Sequence, residues 1–403
     1  MTDKHITVDS IRWHSVLPWL HLLRAAQLAL RVRVVLLALC AVFVFGIGGM
    51  LIRLLPFHPG HGTEMTFDRI LASSLAEPVS RPNPELPQGP QIEVGRLWLI
   101  WPETTVLMPT VQLFEPEPQS WSQVAAKWTE LLWALLVWAI FGGAMARMHA
   151  VRFARDGSVS PLEAVRFSSR NWLSYLYGPL LPLLGVGCFA LLGIGVGKLE
   201  EWIGAGQGTW LMALGWLPVL GSFVMAALLL LLVLSWPLMV AAISVEGSDG
   251  FDGLSRAFGY VMNRPWYFAF LVSLAFGVGV LADSLVFIFL HHSDRLARWS
   301  IGVHDLVREL GGFSVWSASL QLLHLAVLVS FFWSATTVIY FLLRQSDDGT
   351  PLDQVYIPGP PPKAEPLPLV GVAASQPAVG GVIERPRVDP VATSGSPDVP
   401  GNT

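Results

Sequence analysis

Long apolar runs separated by short polar connections are the main pattern of this chain of 403 residues. An α-helix rises 1.5 Å per residue, so ~20 apolar residues cross a hydrocarbon core about 30 Å thick. Runs of that size begin near Val34, Thr129, Leu173, Ser222, Trp266 and Val315. The pattern predicts an all-α polytopic membrane bundle of about six transmembrane helices.

Shorter segments with one apolar face accompany the runs. Residues 16–31 predict a helix that lies on the inner membrane surface or, alternatively, packs on the protein's own cytoplasmic face. Residues 293–310 predict a second such helix on the outer surface, and residues 96–113 a short hairpin against the membrane. The long run 210–243 predicts an interfacial piece, a break near Pro218 and Gly221, and a crossing from Ser222.

Three regions follow from these elements. Residues 1–33 are a cytoplasmic N-terminal segment with the amphipathic helix, and residues 34–345 are the six-span membrane domain. That domain includes an extracytoplasmic loop, residues 56–127, which is rich in proline. Residues 346–403 are rich in proline and glycine and poor in aromatic residues, so they predict a disordered cytoplasmic tail.

Composition and charge narrow the class of protein. The chain is 53% hydrophobic and 13% charged, against roughly 25% charged residues in soluble domains. Its net charge of -4 and the lack of a dense basic cluster argue against nucleic acid as a partner. Arginines concentrate between residues 147 and 170, which predicts that this connection and both termini are cytoplasmic. The chain is therefore expected to be a multi-pass membrane protein with both ends on the cytoplasmic side.

Two cytoplasmic connections resemble each other and indicate an internal repeat. In each, an arginine follows a glycine by nine positions, and a second arginine stands two residues before a tryptophan that enters the next span. The first copy has Gly157, Arg166, Arg170 and Trp172; the second has Gly247, Arg256, Arg264 and Trp266. Ser160 and Asp249 are the predicted N-caps of the short helices in these connections.

Part of the second repeat copy and three other segments carry a resemblance to a known family. These segments are residues 141–147 (FGGAMAR), 246–256 (EGSDGFDGLSR), 331–334 (FFWS) and 339–344 (IYFLLR). They resemble a bacterial family of multi-pass inner-membrane proteins with no assigned function. The resemblance covers roughly residues 17–356 and implies the fold and topology, but no catalytic residues.

Asp283 is the one acidic residue well inside a predicted span. In the next span, which runs the other way, Gln321 and His324 are expected at a similar depth. An ionisable group inside a span is costly unless it is paired. These three residues therefore predict either a proton or cation relay site or a hydrogen bond that fixes two helices together.

Other chemistry is not indicated. Residues 193–198 mimic a phosphate loop, but Leu192 and Leu199 replace its first glycine and its magnesium-binding hydroxyl, so a nucleotide is not expected. The sequence predicts no catalytic set, metal site or cofactor. The first functional hypothesis is a non-enzymatic scaffold, accessory or assembly component in the lipid bilayer, with a membrane-protein partner or a second copy of itself. The alternative is a transporter or channel that uses Asp283.

Overall fold

The computed structural model describes residues 17–58, 99–114, 120–203, 208–301 and 312–357. Within these ranges the regular structure is helical, and no strand is present. The proline-rich part of the predicted loop and the predicted tail from residue 358 onward lie outside the described residues.

Six helices in the described ranges are long and apolar enough to cross a membrane, so the chain is an all-α multi-pass membrane bundle. They are joined by shorter helices. The order is α1 (His21–Ala29), α2 (Val32–Arg53), α3 (Trp101–Leu113), α4 (Trp121–Val137), α5 (Gly143–Arg155), α6 (Pro161–Arg170), α7 (Trp172–Ile203), α8 (Thr209–Leu214), α9 (Trp216–Glu246), α10 (Gly250–Asn263), α11 (Pro265–Ile301) and α12 (Gly312–Asp348). The spans are α2, α4 with α5, α7, α9, α11 and α12.

The last span, α12, is the centre of the bundle. Inside the protein, 94% of its most apolar window is buried, against 11% for α9. Helices α1, α2, α5, α9 and α11 pack around it. The spans α7, α9 and α11 therefore present most of their apolar surface to the lipid.

A close contact of aromatic rings with a glycine joins α12 to the second span. Helices α4 and α5 are connected by a π-helical turn, Trp138–Gly142. The ring of Trp333 lies 6.0 Å from that of Trp138 and against Gly142, where an added Cβ would stand 2.5 Å from the Trp333 ring. Both tryptophans are fully buried. The absence of a side chain at Gly142 lets the two spans approach this closely.

Helix α1 packs on the rest of the bundle. Its apolar face is buried against α12. The hydroxyls of Ser334 and Ser330 donate hydrogen bonds to the carbonyls of Ala25 and Ala29, at 2.9 and 2.8 Å. The small side chains of these alanines allow the close approach that such bonds require.

Three local predictions need correction. Residues 101–113 form the helix α3 and not a hairpin. Helix α11 continues to Ile301, so no separate surface helix begins at Ser293, and residues 302–310 lie outside the described ranges. The break in the long apolar run falls at Gly215. Pro218 stands in the first turn of α9, where its missing N–H costs no helical hydrogen bond.

Candidate functional site

Asp283 and His324 meet at the seam between α11 and α12. The Nε2 atom of His324 lies 2.7 Å from the Asp283 carboxylate, and each side chain is 20% exposed. The ring of Phe287 lies 6.0 Å from that of His324. Gln321 lies one turn earlier on α12 and is exposed. The antiparallel geometry thus brings Asp283 and His324 together, as the sequence predicts.

The pair can act in two ways. With a proton on Nε2, His324 donates a hydrogen bond that satisfies the carboxylate and links the two spans. The same two groups can also exchange a proton. Neither residue lines any of the larger cavities in the described part of the chain.

A second polar cluster centres on Glu246, at the end of α9. Tyr340 donates a hydrogen bond to its carboxylate, and Arg256 and Arg344 lie 3.2 and 3.6 Å from it. Arg256 also pairs with Asp252 at 3.0 Å. We name these five residues the Glu246 network. Because it joins α9, α10 and α12, it fixes the ends of two spans to a connecting helix.

Beside it, Tyr260 of α10 donates a hydrogen bond to Asp348 at the end of α12. Burial and this hydrogen bond raise the pKa of the Tyr260 hydroxyl, so it stays protonated and remains a donor at neutral pH.

The residues after α12 return to this network as a strap, residues 349–356. The N–H of Tyr356 donates to the carbonyl of Val245 at 2.8 Å. Arg344 donates to the carbonyl of Gln354 at 3.0 Å. Gly247, with φ of 67°, ends α9 in a left-handed conformation, and an added Cβ there would stand 2.5 Å from the Tyr356 ring. A side chain at residue 247 would therefore displace the strap.

Arg147 secures the other side of the strap. This buried arginine of α5 donates to the carbonyls of Ser244, at 2.9 Å, and of Tyr356. Its guanidinium lies 4.6 Å from the centre of the Phe167 ring, a distance at which a cation–π contact is favourable. The carbonyls and the aromatic ring together replace the water that this cation loses on burial.

We call this side of the bundle the arginine-rich face; it consists of α6, α10, the strap and the adjoining ends of α5, α9 and α12. Residues 141–147, 246–256 and 331–344 converge here or just beneath it. Gly142 and Trp333 lie against each other. Arg147 of α5 donates a hydrogen bond to a carbonyl of α9, and Arg344 of α12 pairs with Glu246 of α9. Residues far apart in the sequence therefore form one structural unit.

Each repeat copy contains a short helix with a capped N-terminus. Ser160 accepts a hydrogen bond from the N–H of Glu163, and Asp249 accepts one from the N–H of Asp252, so both predicted N-caps are confirmed. A left-handed residue precedes each cap. It is Gly247 in the second copy, but in the first it is Asp156, one residue before Gly157.

The copies differ in what their arginines contact. Arg256 belongs to the Glu246 network and Arg264 lies 3.6 Å from Asp347, whereas Arg166 and Arg170 are exposed on α6. Trp172 and Trp266 are exposed at the starts of α7 and α11, which suits anchors at the membrane interface. The motif thus marks equivalent helix ends, but only its second copy carries the ion pairs.

Helix α3 enters the bundle beside the second span. The Trp101 ring lies 5.2 Å from Phe45 and 5.6 Å from Trp138. Phe45 stands eight residues before Arg53, the end of α2, which is roughly 12 Å along the helix. The indole N–H of Trp138 donates to the Thr105 hydroxyl at 2.8 Å. The first turn of α3 therefore lies between the spans.

A cavity of about 520 Å³ adjoins this first turn, bounded by α9, α11 and α12. Its described lining is apolar except for Glu103, Ser273 and Thr336. Glu103 has no hydrogen-bonding or ionic partner among the described residues. Helix α3 is not one of the spans. Burial in its first turn raises the pKa of the Glu103 carboxyl to about 7.

No protein family, curated protein or solved structure matches this chain. Function has to be inferred from the described residues themselves.

Sequence reasoning missed Glu103 and the Glu246 network. Glu103 follows a Trp-Pro pair in a segment that is too short and too polar to predict a membrane-inserted helix. Glu246 follows an apolar run directly, where a charge ordinarily marks only the end of a span. For Glu246, the one available signal was the presence of arginines and tyrosines at the boundaries of other spans.

Proposed function

We propose that this protein is a non-enzymatic scaffold, accessory or assembly component of a bacterial inner membrane. The observation that carries the proposal is the Glu246 network with its strap. The polar residues of this network hold the protein's own helices and strap together, which is a structural role.

The proposed orientation places the arginine-rich face in the cytoplasm. Arg152, Arg155, Arg166 and Arg170 lie in or beside its first connection, and cytoplasmic connections carry an excess of arginine and lysine. Both termini are then cytoplasmic. A partner from either the membrane or the cytoplasm has access to this face.

A rigid support with exposed apolar side chains is what a scaffold requires. Leu162 and Phe251 are the second residues of α6 and α10, and both are largely exposed on the arginine-rich face. The N-caps and the Glu246 network fix the helices that carry them. We infer that these two side chains contact a membrane-protein partner or a second copy of the chain.

Site-specific photo-cross-linking in cells tests the proposal. A benzophenone amino acid at Leu162 or Phe251 is expected to give one discrete protein adduct. The same group at Phe223, which is exposed on the apolar part of α9, is expected to give lipid adducts. Lipid adducts at all three positions, together with a lone chain after mild detergent extraction, would contradict the scaffold role.

A transporter or channel is the second candidate function, and the hydrogen-bonded Asp283–His324 pair is the observation that favours it. In a coupled transporter, protonation or cation binding at such a pair would change the contact between α11 and α12. In a scaffold, the pair only links the helices.

Replacing Asp283 by asparagine separates these two roles. Asparagine keeps hydrogen-bonding capacity at similar volume, so we expect the free energy of unfolding in detergent to change by no more than ~1 kcal/mol. Asp283→Leu leaves His324 without its partner and should cost about 1–3 kcal/mol. Proton or cation flux in proteoliposomes that Asp283→Asn abolishes, with stability intact, would favour the transporter.

A further inference from the structure

The cavity beside Glu103 has the size and lining of a ligand site. Its volume of about 520 Å³ falls within the range of roughly 300–1,000 Å³ that is usual for small-molecule pockets. Such pockets are mostly apolar, with a few polar groups that orient the ligand. Four phenylalanines line this one: Phe268, Phe276, Phe331 and Phe332.

Its polar groups favour a cation. Glu103 is the one ionisable residue of the described lining, and it is unpartnered within the described ranges. The Ser273 hydroxyl is already used, since it donates to the carbonyl of Ala269 at 2.7 Å. Phenylalanine rings attract cations through their negative faces, and more strongly where water is excluded. A carboxylate and several phenyl rings together form a site for a weakly hydrated positive charge.

The first turn of α3 offsets part of the cost of burying the Glu103 charge. Glu103 lies in this turn, where the free N–H groups and the helix dipole favour a negative charge. The same dipole could attract an anionic ligand, but the carboxylate in the same turn would repel it. The described part of the lining includes no basic side chain that would neutralise Glu103.

We propose that this cavity binds a lipophilic monocation, such as a bulky amine or a quaternary ammonium or phosphonium group. Its charge pairs with the Glu103 carboxylate, and its apolar groups lie against the phenylalanine rings. The ligand enters from the lipid between α9 and α11, since Leu234 and Val272 on these helices line the cavity and are exposed. This site is independent of the scaffold role proposed above.

Binding of tetraphenylphosphonium to the full-length protein in nanodiscs of uncharged lipid tests the proposal by equilibrium dialysis. The wild type is expected to bind it saturably at one site. Glu103→Gln should weaken binding about tenfold or more, because it removes the charge at nearly constant volume. Glu201→Gln is the matched control: this carboxylate is exposed on α7 and pairs with Lys198, so affinity should not change.

Val272→Trp tests the cavity separately from the charge. Val272 is exposed and lines the cavity, so a larger side chain can fill the space without displacing a buried residue, and saturable binding should be lost. Thermal unfolding of each variant shows whether it is folded. The proposal is overturned if the wild type binds no more than empty nanodiscs, or if folded Glu103→Gln or folded Val272→Trp binds like the wild type.

Discussion

Replacing Glu246 by alanine is expected to lower the free energy of unfolding by about 3–5 kcal/mol, the usual cost of removing one partner from a buried ion pair. The Glu246 side chain is 16% exposed and that of its partner Arg344 only 6%. The variant leaves Arg344 buried without its carboxylate and Tyr340 without its acceptor. Equilibrium unfolding of the detergent-solubilised protein measures the change.

Asp252→Asn is the control for this prediction. Asp252 also pairs with Arg256, but its side chain is 41% exposed and the pair lies along one helix. Exposed pairs of this kind contribute at most ~1 kcal/mol. Equal losses from the two variants would mean that Glu246 acts as an ordinary surface charge, and the account of the network would be wrong.

Gly142→Leu is expected to destabilise the protein by about 3 kcal/mol, because overfilled cores force side chains and backbone apart. The new Cβ alone would stand 2.5 Å from the Trp333 ring, and Trp333 is fully buried at the centre of the bundle. The ring cannot move without displacing Trp138 and Trp236, which contact it. The unfolding midpoint in detergent measures the effect.

Gly187→Leu provides the matched comparison, since no atom lies within 4 Å of a Cβ added at this glycine of α7. Leucine is the better helix former, so stability should stay the same or rise slightly. Combining Gly142→Leu with Trp333→Leu should cost less than the sum of the two single changes. Strict additivity would contradict the direct contact.

The spans and helix ends could be predicted because they depend on local sequence. Apolar runs of sufficient length set the six long helices, and a side-chain oxygen three residues before a free N–H sets the caps at Ser160 and Asp249. The contact between Asp283 and His324 could also be predicted from the sequence. Consecutive spans run antiparallel, so residues at a similar depth in the membrane lie side by side. No fold template was needed for these inferences.

Other features depend on contacts between distant residues and were missed for that reason. Helix α3 is stabilised between the spans by the Trp138–Thr105 hydrogen bond and by its Trp101 contacts, none of which leaves a periodic pattern in the sequence. The two repeat copies look alike, yet only the arginines of the second copy, Arg256 and Arg264, have acidic partners, because the ends of α9 and α12 supply them. Similar local sequence therefore did not imply similar tertiary contacts.

The central claim is a six-span bundle whose arginine-rich face lies in the cytoplasm, and cysteine labelling in intact cells tests it most directly. Cys40 and Cys188 are free and exposed, so both are first replaced by alanine. Single cysteines are then placed at Ser158, before α6, and Ser300, near the end of α11; both positions are exposed. Three spans separate them.

An impermeant thiol reagent is expected to label Ser300→Cys in intact cells, and Ser158→Cys only after the membrane is opened. Labelling of both positions from outside would contradict the number of spans between them. Labelling of Ser158→Cys alone would contradict the orientation, and with it the cytoplasmic location of the arginine-rich face.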